Sequence, residues 1–171
     1  MKKMLALFLS LVLTVTAVSF AAAETARTPL TDLEPFEKEY MDLDPYTNEC
    51  QDPFGNVYNS CLGPREDEGY VEFYLNGQYD RLIGTLYATG KKLDTTYDYN
   101  WDFATCTIYG DDCLLFTHTG FHRKDDPIPF ELDVRGVRFL RITFEKDAYF
   151  NTGCGRPLVL LGDLYLETEN P

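Results

Sequence analysis

The sequence predicts an all-β fold, a two-sheet β-sandwich of the jelly-roll kind. The chain of 171 residues contains 12 Tyr, 12 Phe, 12 Gly and 9 Pro, a composition that favours strands joined by many turns. From Asp52 onward, short alternating runs of apolar and polar residues follow one another, with turn residues between them. No segment keeps the apolar period of an amphipathic helix. Short strands at this spacing are typical of sandwiches and jelly rolls.

About eight strands are predicted along the chain. They are Val57–Leu62, Tyr70–Leu75, Tyr79–Ala88, Thr105–Gly110, Cys113–Thr119, Ile128–Val134, Arg138–Glu145 and Leu158–Glu167. Two dipeptides that tolerate positive φ angles predict tight hairpins. They are Asn76-Gly77, after the second strand, and Asp111-Asp112, after the fourth.

The second hairpin also predicts which side chains share a face. With the turn at residues 111–112, Gly110 would pair with Cys113, and Ile108 would pair with Leu115. Because side chains alternate along a strand, one face would then carry four apolar side chains and belong to the core. These are Cys106, Ile108, Cys113 and Leu115. The two cysteines are therefore expected as buried thiols, not as a bridge.

The first 23 residues have the organisation of a secretory signal peptide. Lys2 and Lys3 precede the apolar run Leu5–Phe20, and three alanines follow it. We expect cleavage after Ala23, with Ala26 as the weaker alternative, and secretion of the mature chain. An uncleaved membrane anchor is the other alternative, since the run is near the lower length limit for a span.

A polar segment follows this leader. Residues 24–51 contain three prolines and many acidic side chains, which predicts a linker or loosely ordered lead-in with one helical turn near Leu33–Met41. The β-sandwich is predicted to occupy residues 52–168 as a single domain, because a chain of this length has room for one domain and a short tail.

The charge of the chain excludes two classes of partner. Fifteen basic and 28 acidic residues give a formal net charge of −13. Nucleic acids and anionic membrane surfaces both attract basic faces, so neither is expected as a partner. No membrane span is expected once the signal peptide is removed, and the oligomeric state stays open.

Five cysteines are present, and export permits disulfides. Cys50 and Cys61 flank one short turn-rich segment and are the preferred disulfide pair. An odd count leaves at least one thiol unpaired or paired between molecules.

Five segments, each generic alone, are informative in their order and spacing. They are 52–60 (DPFGNVYNS), 69–87 (GYVEFYLNGQYDRLIGTLY), 107–112 (TIYGDD), 129–142 (PFELDVRGVRFLRI) and 162–166 (GDLYL). Over residues 52–167 the chain thereby resembles the NPCBM family, the novel putative carbohydrate-binding modules. The resemblance implies a galactose-binding-like β-sandwich that binds glycans without catalysis, often beside secreted bacterial glycoside hydrolases. Some members of that family hold a structural calcium ion.

The chain departs from the family pattern at two places. The Gly-x-x-x-His-Ala stretch of the enzyme-linked members is absent. Their acidic-His-Ala-Asp-Trp sequence near the end is replaced by Leu158–Asp163, in which only Asp163 matches in type. The family's sugar site is therefore not carried over. A structural or protein-interaction sandwich that has lost its sugar site is the alternative.

One segment alternates aromatic and polar residues: Tyr97, Asp98, Tyr99, Asn100, Trp101 and Asp102. Its rings could form a flat platform for a sugar, and its polar groups could hydrogen-bond the hydroxyls. A half-buried strand requires the same alternation, so both interpretations stay open. Asp98, Asn100 and Asp102 also place oxygen ligands at alternate positions, which makes calcium an alternative there, and no other cofactor is expected.

No catalytic signature accompanies these features. After cleavage the only serine would be Ser60, which lacks the sequence of a nucleophile elbow. We therefore expect a chain that binds carbohydrate and is not an enzyme.

The leader makes a direct prediction. Expressed in a bacterium with its full sequence, the exported protein should begin at Glu24, because small residues at 21 and 23 suit signal peptidase. N-terminal sequencing of the secreted fraction tests this. A mature chain that still begins at Met1 would contradict it.

Overall fold

A computed structural model describes residues 25–43, 50–65, 68–89, 103–122, 124–146 and 159–169. These residues form eleven strands and one 3-10 turn, Leu30–Asp32. The strands are β1 (Ala26–Pro29), β2 (Glu37–Glu39), β3 (Met41–Leu43), β4 (Leu62–Pro64), β5 (Gly69–Tyr74), β6 (Arg81–Ala88), β7 (Phe103–Gly110), β8 (Cys113–His122), β9 (Ile128–Asp133), β10 (Phe139–Lys146) and β11 (Val159–Thr168). Within these ranges, no helix is long and apolar enough to cross a membrane.

The strands form two antiparallel sheets. The first has the order β3-β4-β11-β6-β9, and β1 also pairs with β11. The second has the order β2-β5-β10-β7-β8. From β4 to β11 the chain changes sheet at every connection except the β7–β8 hairpin. The predicted two-sheet β-sandwich is therefore confirmed.

A single apolar core joins the two sheets. Leu82 and Leu86 of β6 meet side chains such as Phe73 of β5 and Ile142 of β10, and all four are fully buried. Burying large apolar side chains contributes about 1.5–3 kcal/mol each, so this contact dominates the stability of the sandwich. The core also determines which side chains of the second sheet face outward, because the neighbours of each inward residue in a strand point to the opposite face.

The first predicted hairpin is wrong. Asn76 and Gly77 do form a turn, with φ angles of 53° and 67°. However, β5 pairs with β2 and β10, whereas β6 pairs with β11 and β9. The backbone N–H groups of Leu75 and Asn76 donate to the carbonyl of Arg138 at 2.8 and 3.3 Å. The turn therefore carries the chain between sheets, because a positive-φ dipeptide suits an arch as well as a hairpin.

The second predicted hairpin is confirmed, but the prediction of which side chains face the core is only partly right. β7 and β8 pair around Asp111-Asp112, and Gly110 faces Cys113 as expected. An irregularity after Ile108 makes that residue pair with Phe116 instead of Leu115. Cys106 and Ile108 are fully buried and Leu115 packs against the core, but Cys113 is exposed. Cys113 is the first residue of the edge strand β8, directly after the turn, where solvent reaches its thiol.

The segment before residue 52 also differs from expectation. Its described part contributes β1, β2 and β3, which pair with β11, β5 and β4. The helical turn predicted near Leu33–Met41 is absent, and β2 lies there instead. The strand predicted at Val57–Leu62 is also wrong, because Val57 makes only an isolated bridge to Gln51 and β4 begins at Leu62. Short edge strands pair through their backbones and leave little apolar pattern to detect. Residues 1–24 lie outside the described part, so the signal peptide stays a prediction.

A β-bulge in β11 allows both halves of this strand to face the core. Val159 and Leu161 point inward before the bulge, and Leu164 and Leu166 point inward after it. The register shifts between Gly162 and Tyr165, where Asp163 has a φ of 49°. The extra residue resets the alternation of side chains. The carboxylate of Asp163 accepts a hydrogen bond from the Asn59 backbone at 2.8 Å, which fixes the bulge to the loop before β4.

The bulge predicts two different outcomes at one position. Asp163→Ala should lower the free energy of unfolding by about 1–2 kcal/mol, because it loses an acceptor and keeps a strained φ. Asp163→Gly should lower the free energy of unfolding by a smaller amount, because glycine adopts a positive φ freely. Urea unfolding measures both. An alanine variant as stable as the wild type would contradict this account of the bulge.

Candidate functional site

The outer face of the second sheet carries a groove along β10. Leu140, Ile142 and Phe144 are fully buried, so the alternate side chains of β10 face outward. Arg141 lies between Glu72 of β5 and Tyr109 of β7 in the strand register. The groove has a volume of about 770 Å³, and we call it the sheet-face groove. Its lining residues are Phe36, Glu72, Tyr109, Asp111, Asp112, Arg138, Phe139, Arg141, Thr143 and Glu145.

Three aromatic rings cluster at one end of the sheet-face groove. The ring centroid of Phe139 lies 5.3 Å from that of Phe36 and 5.1 Å from that of Tyr74. Phe36 is 64% exposed and Tyr74 is 49% exposed. Clustered exposed rings are unusual on a soluble domain and commonly mark a binding surface.

Two guanidinium groups also line the sheet-face groove. Arg141 stacks over the Tyr70 ring at 4.5 Å, and Arg138 lies 5.8 Å from the centroid of Phe139. In the part of the chain that the structure describes, neither guanidinium has a carboxylate within ion-pair distance. Tyr70 is itself held by a 2.8 Å hydrogen bond to Glu37, which raises the pKa of its phenol. The stacking orients Arg141 while its N–H groups remain exposed to solvent.

A carboxylate ties the aromatic end of the groove to the β7–β8 turn. Asp111 accepts hydrogen bonds from the backbone N–H groups of Arg138 and Phe139 at 3.0 and 2.9 Å. These two bonds lower the pKa of Asp111, so its charge persists at neutral pH. The groove is thus built on hydrogen-bonded strands whose side chains have fixed directions.

The outer face of the first sheet is covered by residues 50–61. Tyr87 of β6 points outward there but is fully buried, because Tyr58 stacks on it with a centroid distance of 4.0 Å. Cys50, Cys61 and Leu160 complete this second apolar cluster. The Tyr87 hydroxyl donates to the Cys61 sulfur at 3.3 Å.

Cys50 and Cys61 lie together inside this cluster as thiols. Burial, together with a hydrogen bond to Cys50, raises the pKa of the Cys61 thiol to about 12. The disulfide between them stays a prediction, and their proximity is compatible with it.

Asp52 is the one buried aspartate in the described ranges, with 2% of its surface exposed. Its carboxylate accepts hydrogen bonds from the Phe54 and Asn56 backbones, the Asn56 side chain and the Tyr58 hydroxyl, at 2.7 to 2.9 Å. Burial alone would raise the pKa of Asp52, but the four hydrogen bonds outweigh it and lower the pKa. With its oxygens occupied, Asp52 braces the loop and is not placed for acid–base chemistry.

The sugar platform predicted from the sequence falls outside the described residues. The platform residues are Tyr97, Asp98, Tyr99, Asn100, Trp101 and Asp102. The calcium site predicted at Asp98, Asn100 and Asp102 also lies outside the described residues. Both stay predictions. Within the described ranges, no group of three His, Cys, Asp or Glu side chains is arranged to hold a metal ion.

Sequence reasoning missed the sheet-face groove. The alternation from Phe139 to Glu145 was detectable, since apolar residues at 140, 142 and 144 leave the other side chains outside. Nothing in the sequence showed that β5 and β7 would flank this strand, or that Phe36 would join its aromatic end.

No family model matches the chain, and no curated protein matches it. Solved structures do match in fold. The CBM51-2 and INT domains of ZmpB from Clostridium perfringens have a TM-score of 0.67 at 12% identity, covering 84% of this chain and 32% of that one. A CBM51 from C. perfringens GH95 in complex with methyl-galactose has a TM-score of 0.63 at 12% identity, covering 82% and 99%. Tandem CBM51 modules of Sp3GH98 from Streptococcus pneumoniae have a TM-score of 0.65 at 12% identity, covering 84% and 47%.

At this identity the comparison establishes the fold. The chain is a β-sandwich with the architecture of the CBM51 modules, and it spans about a third (32%) of the length of the ZmpB structure.

The Asp52 network predicts a pH-dependent contribution to stability. The unfolded carboxyl has a pKa near 3.8, and the folded one is lower. The hydrogen bonds therefore stabilise the fold fully above the unfolded pKa, and this stability is lost as the pH falls through the folded pKa. Asp52→Ala should reduce the free energy of unfolding by about 1–3 kcal/mol at pH 7, and by less below pH 3.8.

Urea unfolding of both proteins across pH 2 to 7 measures this difference. Asp126→Ala is the matched control, because that carboxylate is exposed. A constant difference between wild type and Asp52→Ala at every pH would contradict a charged, hydrogen-bonded Asp52.

Proposed function

We propose that the chain is a non-catalytic carbohydrate-binding domain that acts outside the cell, and that the sheet-face groove holds the sugar. The observation that carries this is the contact of the half-buried Phe139 ring with the exposed rings of Phe36 and Tyr74, next to guanidinium groups that face solvent. Sugars need both surfaces, because a pyranose has an apolar C–H face and a rim of hydroxyls.

Each part of the groove has a place in this recognition. A ring exposed on the sheet face can stack against the C–H face of a sugar, removing apolar area from water at about 25 cal/mol per Å². Arg141 can donate two parallel N–H groups to neighbouring hydroxyl oxygens, and Glu72 can accept from hydroxyl hydrogens. These groups sit on rigid strands, so little order has to be gained on binding.

The fold supports the same proposal. Structures of similar fold are described as carbohydrate-binding modules, one in complex with methyl-galactose and one in complex with GlcNAc. The predicted signal peptide would deliver the domain to the compartment where such glycans occur. Because Leu158–Asp163 departs from the family pattern, we propose the sheet face as the site instead of that segment.

The proposal predicts retention by immobilised glycans that depends on the groove. We expect the wild-type chain to bind at least one neutral glycan on an array, and Arg141→Ala to weaken that binding about tenfold, or about 1.4 kcal/mol. Phe54→Ala is the matched control, because Phe54 is 56% exposed and lies outside the groove lining. Repeating the array with a calcium chelator tests the predicted calcium site separately.

No retention of the folded wild-type chain by any glycan would overturn the proposed function. If Arg141→Ala and Phe54→Ala lose glycan affinity to the same extent, the sheet-face groove is not the binding site.

A protein-interaction domain is the second candidate. Phe54 and Val57 are 56% and 67% exposed on the loop that Asp52 braces, which makes a rigid apolar tip. This candidate would be favoured if glycan arrays stay negative while a protein partner is lost in Phe54→Ala and kept in Arg141→Ala.

A further inference from the structure

We propose that the sheet-face groove binds a neutral glycan chain along several consecutive sugar units, and not a single terminal sugar. This inference rests on the proposed function and adds the class of ligand. It follows from the extent of the groove, the position of its aromatic rings and its charge.

A second depression continues the sheet-face groove. It has a volume of about 210 Å³ and shares Arg141, Thr143 and Glu145 with the groove. Its other lining residues include Tyr40 and Tyr70. The two depressions are therefore contiguous on the outer face, with Arg141 where they meet.

The combined surface is longer than one sugar ring. It follows β10 from Phe139 to Glu145, both of which line it. Six residue steps at about 3.3 Å each give a length of about 20 Å. A single pyranose would contact only part of this length, whereas a chain could contact all of it.

Aromatic rings lie at both ends of this surface. Phe139 pairs with Tyr74 at one end, and Thr143 pairs with Tyr70 further along. Four residue steps separate these pairs, or about 13 Å. Tyr40, which is 47% exposed, adds a second ring at the Tyr70 end. One sugar cannot stack on both platforms at once, so the spacing favours consecutive units of one chain.

The charge of the surface selects against acidic sugars. Six carboxylates line the two depressions, and only two guanidinium groups, Arg138 and Arg141, oppose them. The carboxylates are Glu39, Glu68, Glu72, Asp111, Asp112 and Glu145. The whole chain has a net charge of −13. A uronate or sulfated glycan would meet repulsion here, and a neutral chain would not.

An array of neutral oligosaccharides of increasing length tests this inference. It would carry galactose, GlcNAc, glucose and mannose as single sugars and as linear oligomers of two to six units, next to acidic glycans of the same lengths. We expect affinity for at least one neutral series to rise about tenfold from one unit to four, and acidic glycans to bind more weakly.

Two variants test the ends separately. Phe36→Ala and Tyr40→Asn should each remove part of the gain in affinity with length, since each removes one ring from one end of the surface. Asparagine is used at residue 40 because its φ is 51°, which asparagine tolerates. Phe54→Ala should keep the full increase in affinity with glycan length.

The outcomes separate the two proposals. Equal affinity for single sugars and oligomers, or preference for acidic glycans, would overturn the chain-binding inference and leave carbohydrate binding intact. The inference would also be overturned if affinity rose with glycan length in Phe36→Ala and in Tyr40→Asn as much as in the wild type. No binding to any glycan by the folded chain would instead overturn the proposed function.

Discussion

The alternation of side chains along β10 is the constraint on which the rest of the structure depends. Leu140, Ile142 and Phe144 are fully buried against the other sheet. Because consecutive side chains of a strand point to opposite faces, the same packing forces Arg141 and Thr143 outward. A shift of one residue would exchange the two sets, exposing the core and burying a guanidinium, at a cost far above the marginal stability of a domain. The core therefore holds the sheet-face groove in place.

The two outer faces of the sandwich differ in how far a loop covers them. On the first sheet, residues 50–61 fold over the surface, and Tyr87 becomes buried beneath Tyr58. Asp52 keeps that loop in shape through four hydrogen bonds. On the second sheet no described loop covers β10 in this way, so its aromatic and charged side chains remain accessible. Among the described residues, the outer face of the second sheet is thus the more open of the two.

The two turns show where local sequence is sufficient and where it is not. Asp111-Asp112 forms the expected hairpin, and the two strands that it joins, β7 and β8, pair with each other. Asn76-Gly77 has the same preference for positive φ, yet it connects two sheets, because β5 finds its partners in β2 and β10. A turn dipeptide specifies a reversal of the backbone. Which strands then pair depends on apolar surfaces that are distant in the sequence.

By itself the sequence determined the fold class, since period-2 alternation between turn residues is a local property of each strand. It also showed an acidic chain without catalytic signatures, which directed the functional proposal toward binding. Only the tertiary structure decided the strand order, the bulge at Asp163 and the contact of Phe36 with Phe139. Those features arise from residues roughly a hundred positions apart that meet when two sheets close over one core, and no local pattern encodes such a meeting.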